Sequence, residues 1–273
     1  MRPRLLAAGA AAGLLAAGAL AVPAQAQDNA QLSVLHGVPG LTVDVYVNGE
    51  PTLDDFEPGD LAGPLDLPAG TYSVAITAAD AADDSDPAIG PVDLPLEGGS
   101  NYTAVAHLDE SGAPTATLFT NDTSQTAAGE GRLTVRHTAA APAVDVLAGG
   151  SPVISGLANP DEEVLNLPAG TVSAAVAAAG TTEPVLGPAD VPVTEGVNTI
   201  VYAWGSLEDD NLALATQTIE GLHSSPSGVP AGEAGLADQG ASSGLIALGG
   251  LAVVGAAALL AARTLTARAS ARR

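Results

Sequence analysis

Two histidines stand at matching places in this chain, each eight residues before an aspartate. His36 precedes Asp44, and His137 precedes Asp145. An imidazole beside a carboxylate can work as a general base, and both side chains are metal ligands. One histidine and one carboxylate fall short of the about three or four protein ligands of a zinc site. The expectation is therefore structural. Each histidine ends a strand and hydrogen-bonds across the loop that follows. His107 and His223 have no such match.

Acidic runs raise calcium as a second chemistry. "LDDFEPGD" holds Asp54, Asp55, Glu57 and Asp60, and "DAADDSDP" holds Asp80, Asp83, Asp84 and Asp86. Calcium takes about six to eight oxygens, which carboxylate loops can supply. The ligand order of an EF-hand is absent, and the matching stretch of the second half shortens the latter run to "GTTEP". Solvated surface charge is the expectation. No H-E-x-x-H pair or phosphate-binding glycine loop occurs, so no catalytic residues and no cofactor are expected. Glycan binding would need exposed aromatic platforms. With seven aromatics in the chain, Tyr46 and Trp204 are the candidates considered.

The elements that must position these residues come from a repeat. "LSVLH" at Leu32 returns as "LTVRH" at Leu133, "TVDVYVNG" at Thr42 as "AVDVLAGG" at Ala143, and "LDLPAGTYSVAITAAD" at Leu65 as "LNLPAGTVSAAVAAAG" at Leu165. The period of about a hundred residues is that of a whole domain rather than a solenoid unit. Within the first copy, strands are predicted over 31–36, 42–48, 50–53, 61–67, 71–78, 88–94, 102–108 and 114–120. Val43, Val45 and Val47 alternate with Asp44 and Tyr46, and Asn48-Gly49 is a hairpin turn signal. "LPAGT", carrying Pro68 and Gly70 and then Pro168 and Gly170, reads as a tight turn joining two hairpin strands. The predicted fold is all-β. It comprises two tandem antiparallel sandwiches, immunoglobulin-like or transthyretin-like, over 27–120 and 132–220, with a polar linker over 121–131.

The strand ending in His, the Pro-containing loop, "VDV" and "LPAGT" together resemble a secreted bacterial family, domain of unknown function 4397. The resemblance covers about Leu32 to Glu220 in two copies. It implies a β-rich exported module, often in tandem, and brings no established activity or catalytic residues.

Charge and the two ends set the location. The 273 residues include 31 acidic and eight basic side chains. The basic residues are all arginine, and there is no lysine and no cysteine. Only Arg132 and Arg136 lie within the acidic span from Asp28 to Asp238. Such a body repels nucleic acid, whose phosphates need clustered Lys or Arg. Without cysteine there is no disulfide framework. A basic start, an apolar run and "AQA" predict a signal peptide over 1–26. The uncharged stretch 244–262 predicts a transmembrane helix, since 19 residues rise roughly 28 Å. The arginine tail 263–273 is expected to be cytoplasmic, and 221–243, rich in Gly, Ser and Pro, a disordered stalk. Leu236, Ala237, Asp238, Gln239 and Gly240 form "LADQG", similar to a sortase motif with Gln239 in the place of Thr. A retained membrane anchor is expected, with wall attachment as the alternative. The expected role is surface display of non-catalytic modules toward an envelope component or surface protein. The alternative is a small-ligand or glycan binder using loops at the sandwich ends.

Overall fold

A computed structural model describes residues 28–224. The expected signal peptide, membrane helix and tail, the 236–240 motif, and all but the first four residues of the stalk lie outside them. No helix among the described residues is long and apolar enough to cross a membrane.

Sixteen strands make up this region. The first eight are β1 (Ala30–His36), β2 (Val43–Val47), β3 (Glu50–Phe56), β4 (Leu61–Leu67), β5 (Gly70–Ala78), β6 (Ile89–Leu96), β7 (Asn101–Leu108) and β8 (Pro114–Thr120). The second eight are β9 (Glu130–Ala140), β10 (Val144–Ala148), β11 (Ser151–Leu157), β12 (Glu162–Pro168), β13 (Gly170–Ala178), β14 (Pro184–Val193), β15 (Asn198–Ser206) and β16 (Ala213–Ile219). All eight strands expected of the first copy are present, with ends shifted by three residues at most.

Each set of eight builds two four-stranded sheets. The first sandwich pairs β4-β1-β7-β8 with β3-β2-β5-β6, and the second pairs β12-β9-β15-β16 with β11-β10-β13-β14. The Asn48-Gly49 hairpin joins β2 to β3 with φ of 53° and 79°, and Gly149-Gly150 repeats it at 57° and 83°. Both positions of a type I′ turn need positive φ, which Asn and Gly tolerate.

Two expectations are corrected. The sheets are not wholly antiparallel, because β1 runs parallel to β7 and β9 runs parallel to β15. The opening strand of each repeat is therefore held between β4 or β12 on one side and a late strand on the other. Parallel neighbours need a long crossover, and in each repeat five intervening strands supply it. "LPAGT" is also not a hairpin. β4 pairs with β1, whereas β5 pairs with β2 and β6 in the opposite sheet. Pro68 and Gly70 thus carry the chain across the sandwich edge, as do Pro168 and Gly170. Neither glycine has a positive φ. The corner is held by the Tyr72 hydroxyl, which donates to the Pro68 carbonyl at 2.8 Å. In the second copy the Ala169 N–H donates to the Gly129 carbonyl at 2.9 Å.

Sheets β4-β1-β7-β8 and β12-β9-β15-β16 also pack on each other. Leu35, Val105 and Phe119 from the first meet Ile200 and Tyr202 from the second. β7 and β15 are consequently buried on both faces along their whole length. The outcome is a four-layer stack with a core inside each sandwich and a seam between them.

Candidate functional site

β1 ends at His36, whose Nε2 donates to the Leu41 carbonyl at 2.6 Å. The equivalent Nε2 of His137 donates to the Pro142 carbonyl at 3.1 Å. A carbonyl can only accept, so both rings carry their proton on Nε2. His36 stacks on Phe56 with centroids 6.0 Å apart. Burial holds both imidazoles below their ordinary pKa, so both are neutral at pH 7.

The aspartates bond elsewhere. Asp44 Oδ1 accepts the Asp55 N–H at 2.9 Å. Asp145 Oδ1 accepts the Gly156 N–H at 2.8 Å, and its Oδ2 accepts the Gly180 N–H at 2.8 Å. Asp55 and Gly156 hold matching left-handed φ values of 52° and 68°. Each buried aspartate thus clasps a kink in the neighbouring edge strand. No hydrogen bond joins either histidine to its aspartate among the described residues. The arrangement closes loops and offers no relay.

Asp44, Asp54 and Asp55 bring their carboxylates within 4.8 Å of one another. In the second sandwich the places of Asp54 and Asp55 are taken by Ser155 and Gly156, so the cluster is not repeated. Glu57 and Asp60 stay in the following turn, where the Asp60 carboxylate accepts the Glu57 N–H at 3.3 Å. In the other acidic run, Asp83 accepts the Ser85 N–H at 3.0 Å on the surface.

The most elaborate polar constellation is one that sequence reasoning missed, and it lies in the seam. Arg136 is 1% exposed. Its Nε donates to Glu162 at 2.7 Å, its Nη1 to the Tyr202 hydroxyl at 2.8 Å, and its Nη2 to Asn121 Oδ1 at 2.8 Å. The guanidinium lies 4.2 Å from the Phe119 ring centroid, a stacked cation–π contact. The Tyr202 hydroxyl donates onward to Gln217 at 2.6 Å, and Thr103 donates to the same oxygen at 2.9 Å. Burial raises the Tyr202 pKa, so the phenol stays protonated. Arg132, 3% exposed, donates to the Asp122 and Ser124 carbonyls at 3.0 Å each and faces the Asp122 carboxylate at 3.1 Å. The expected linker is therefore tied down where it leaves β8.

The signal for this was present. Arg132, Thr134, Arg136 and Thr138 alternate with Leu133, Val135 and His137 along β9. A polar alternate face ordinarily meets water, and here it meets a second sandwich. The two arginines being the sole cations of an acidic span was the available clue. Trp204 is buried in the same seam, 3.1 Å from where a side chain on Gly59 would begin. It offers no platform to a sugar. Tyr46 is half-buried on β2.

The family model described as domain of unknown function (DUF4397) matches residues 30–147. The match spans the first sandwich, β9 and most of β10, and it is less than half of the chain. No curated protein matches the sequence.

Proposed function

We propose that this chain is an exported, membrane-anchored protein that displays a rigid, anionic, non-catalytic module toward an envelope component or surface protein. The observation that supports it is the burial of Arg132 and Arg136. With those cations in the seam, every exposed Asp, Glu, Lys or Arg side chain among the described residues is acidic. A surface of one sign keeps such a module soluble and selects basic or cation-bridged partners over polyanions. The seam makes two repeats into a single block, which suits display better than two beads on a flexible linker would.

The location rests on the sequence features at the two ends. Fractionation of intact cells tests it. The mature chain should sediment with membranes, lose residues 28–224 to external protease, and be extracted by detergent with its arginine tail intact. Release only by a wall hydrolase, with a C-terminus at Gln239, would replace the membrane anchor by covalent attachment. Recovery in the cytosol with its first 26 residues attached would overturn the reading.

A further inference from the structure

Each sandwich contains an apolar chamber between its two sheets. The second encloses about 240 Å³ and the first about 220 Å³. They occupy the same place in the two repeats, with Leu65, Leu67 and Val74 of one matched by Leu165, Leu167 and Ala174 of the other. The second chamber is lined wholly by Leu, Ile, Val and Ala, and the first adds a single hydroxyl, that of Thr52. A cavity of roughly 150 Å³ with such walls stays dry and takes up benzene. Voids of this size ordinarily cost stability, yet both repeats keep one although the residues around it differ.

The chambers are reachable. Both lie against the edge strands β3 and β4, or β11 and β12, and in each the one exposed lining residue stands on β3 or β11. Val153 is 50% exposed, Thr52 is exposed, and Leu165 and Leu167 are half-buried. The opening is therefore between the two edge strands. Packed sheets stand about 10 Å apart, so the space is a slot rather than a globe. At roughly 30 Å³ for a group the size of water or methylene, 240 Å³ holds about eight such groups in file. The rim is negative. Glu50 and Asp54 stand on β3 at the first opening, and Glu163 stands two residues before Leu165 on β12 at the second, whereas Asp66 and Glu162 face away from the chambers, Glu162 being paired with Arg136. Among the described residues no exposed Lys or Arg answers them.

We propose that each sandwich binds one unbranched aliphatic chain of about eight to ten carbons, with an uncharged or cationic head left at the rim. The slot selects the chain over fused rings. The acidic rim selects an alcohol or alkylammonium head over a carboxylate or phosphate. The ligand site thus lies inside the sandwiches rather than on their end loops.

The test is photolabelling of the purified full-length chain with a diazirine-bearing decanol, with adducts mapped by mass spectrometry. Adducts are expected on the strands facing both chambers. They should fall about tenfold when 1-decanol is present at about ten times its dissociation constant. Decyltrimethylammonium should compete as well, and decanoate should not. The variant Ala174→Trp fills the second chamber, so adducts there should be lost while those in the first sandwich persist. Persistence in the first sandwich shows that the variant is folded. If it unfolds, the smaller Ala174→Leu should still reduce second-chamber labelling. Adducts confined to the outer surface, or labelling that 1-decanol does not suppress, would overturn the proposal. Stronger competition by decanoate than by 1-decanol would overturn the choice of head.

Discussion

Arg136 Nη2 donates to Asn121 Oδ1 at 2.8 Å. Through that bond, a strand of the second sandwich holds the residue that follows the last strand of the first. Asn121 in turn donates to Asn101 Oδ1 at 2.6 Å and Thr103 Oγ1 at 3.0 Å. The repeats are thereby joined by charge-assisted hydrogen bonds that are shielded from water, where each is stronger than on a surface.

Arg136→Met should therefore destabilise the whole block. It leaves the Tyr202 hydroxyl, Asn121 and Glu162 short of a partner. Breaking a buried pair costs about 3–5 kcal/mol, and the 31% exposure of Glu162 places this one at the low end. Urea unfolding of the wild type should be a single transition. In the variant the midpoint should drop, and separation into two transitions would mark loss of the seam. An unchanged midpoint would show that the seam contributes nothing.

Asp145→Ala should cost more than Asp44→Ala. Asp145 accepts two backbone N–H groups, and Asp44 accepts one. Hydrogen bonds to a charged group contribute about 1.5–3 kcal/mol each. Thermal denaturation of the two variants gives the order directly, and the reverse order would remove the clasping role assigned to Asp145.

Val45→Ala and Val146→Ala each remove two methyl groups from a buried core position. The expected cost is about 1–3 kcal/mol. Both side chains also line the chambers, so occupancy by an aliphatic chain should recover part of the loss. Melting curves with and without 1-decanol measure both effects.

Stability should decline on acidification below about pH 6.5. Burial depresses the pKa of His36, His107 and His137 below 6.5 in the folded state. The unfolded chain then binds more protons than the folded one below that pH, and the stability present at pH 7 is lost as pH falls toward the folded values. Asp60 faces His36, Asp109 faces His107, and Glu110 and Asp161 face His137, each weakly opposing the shift. His107 accepts from Thr117 at 2.9 Å and donates to the Leu108 carbonyl at 2.9 Å, a pairing only the neutral ring makes. His107→Gln should flatten part of the decline between pH 7 and 5. Equal slopes in variant and wild type would assign the decline to carboxylates instead.

The strands themselves were legible in the sequence. Alternation in "TVDVYV" and the Asn48-Gly49 turn placed β2 and β3, and internal similarity announced a second copy of the same eight strands. The acidity of the body was equally plain. Two-residue periodicity and turn chemistry are local properties, and a strand obeys them wherever it docks. The partner of a strand is not local. "LPAGT" has the flanks of a hairpin, yet β4 and β5 enter opposite sheets, because each finds a better apolar face across the sandwich than beside it. The parallel pairing of β1 with β7 depends in the same way on where the five strands between them settle.

The roles of Arg132 and Arg136 were decided only by tertiary structure. Along β9 their alternation with Leu133 and Val135 is that of a strand with one wet face. Whether a polar face meets water or another polar face that satisfies it depends on a surface far along the chain, at Tyr202, 66 residues on, and at Gln217, 15 residues beyond that. The chambers are hidden from sequence for a related reason. The volume left between two sheets is set by side chains from strands that are not neighbours, and no window of the chain contains them together.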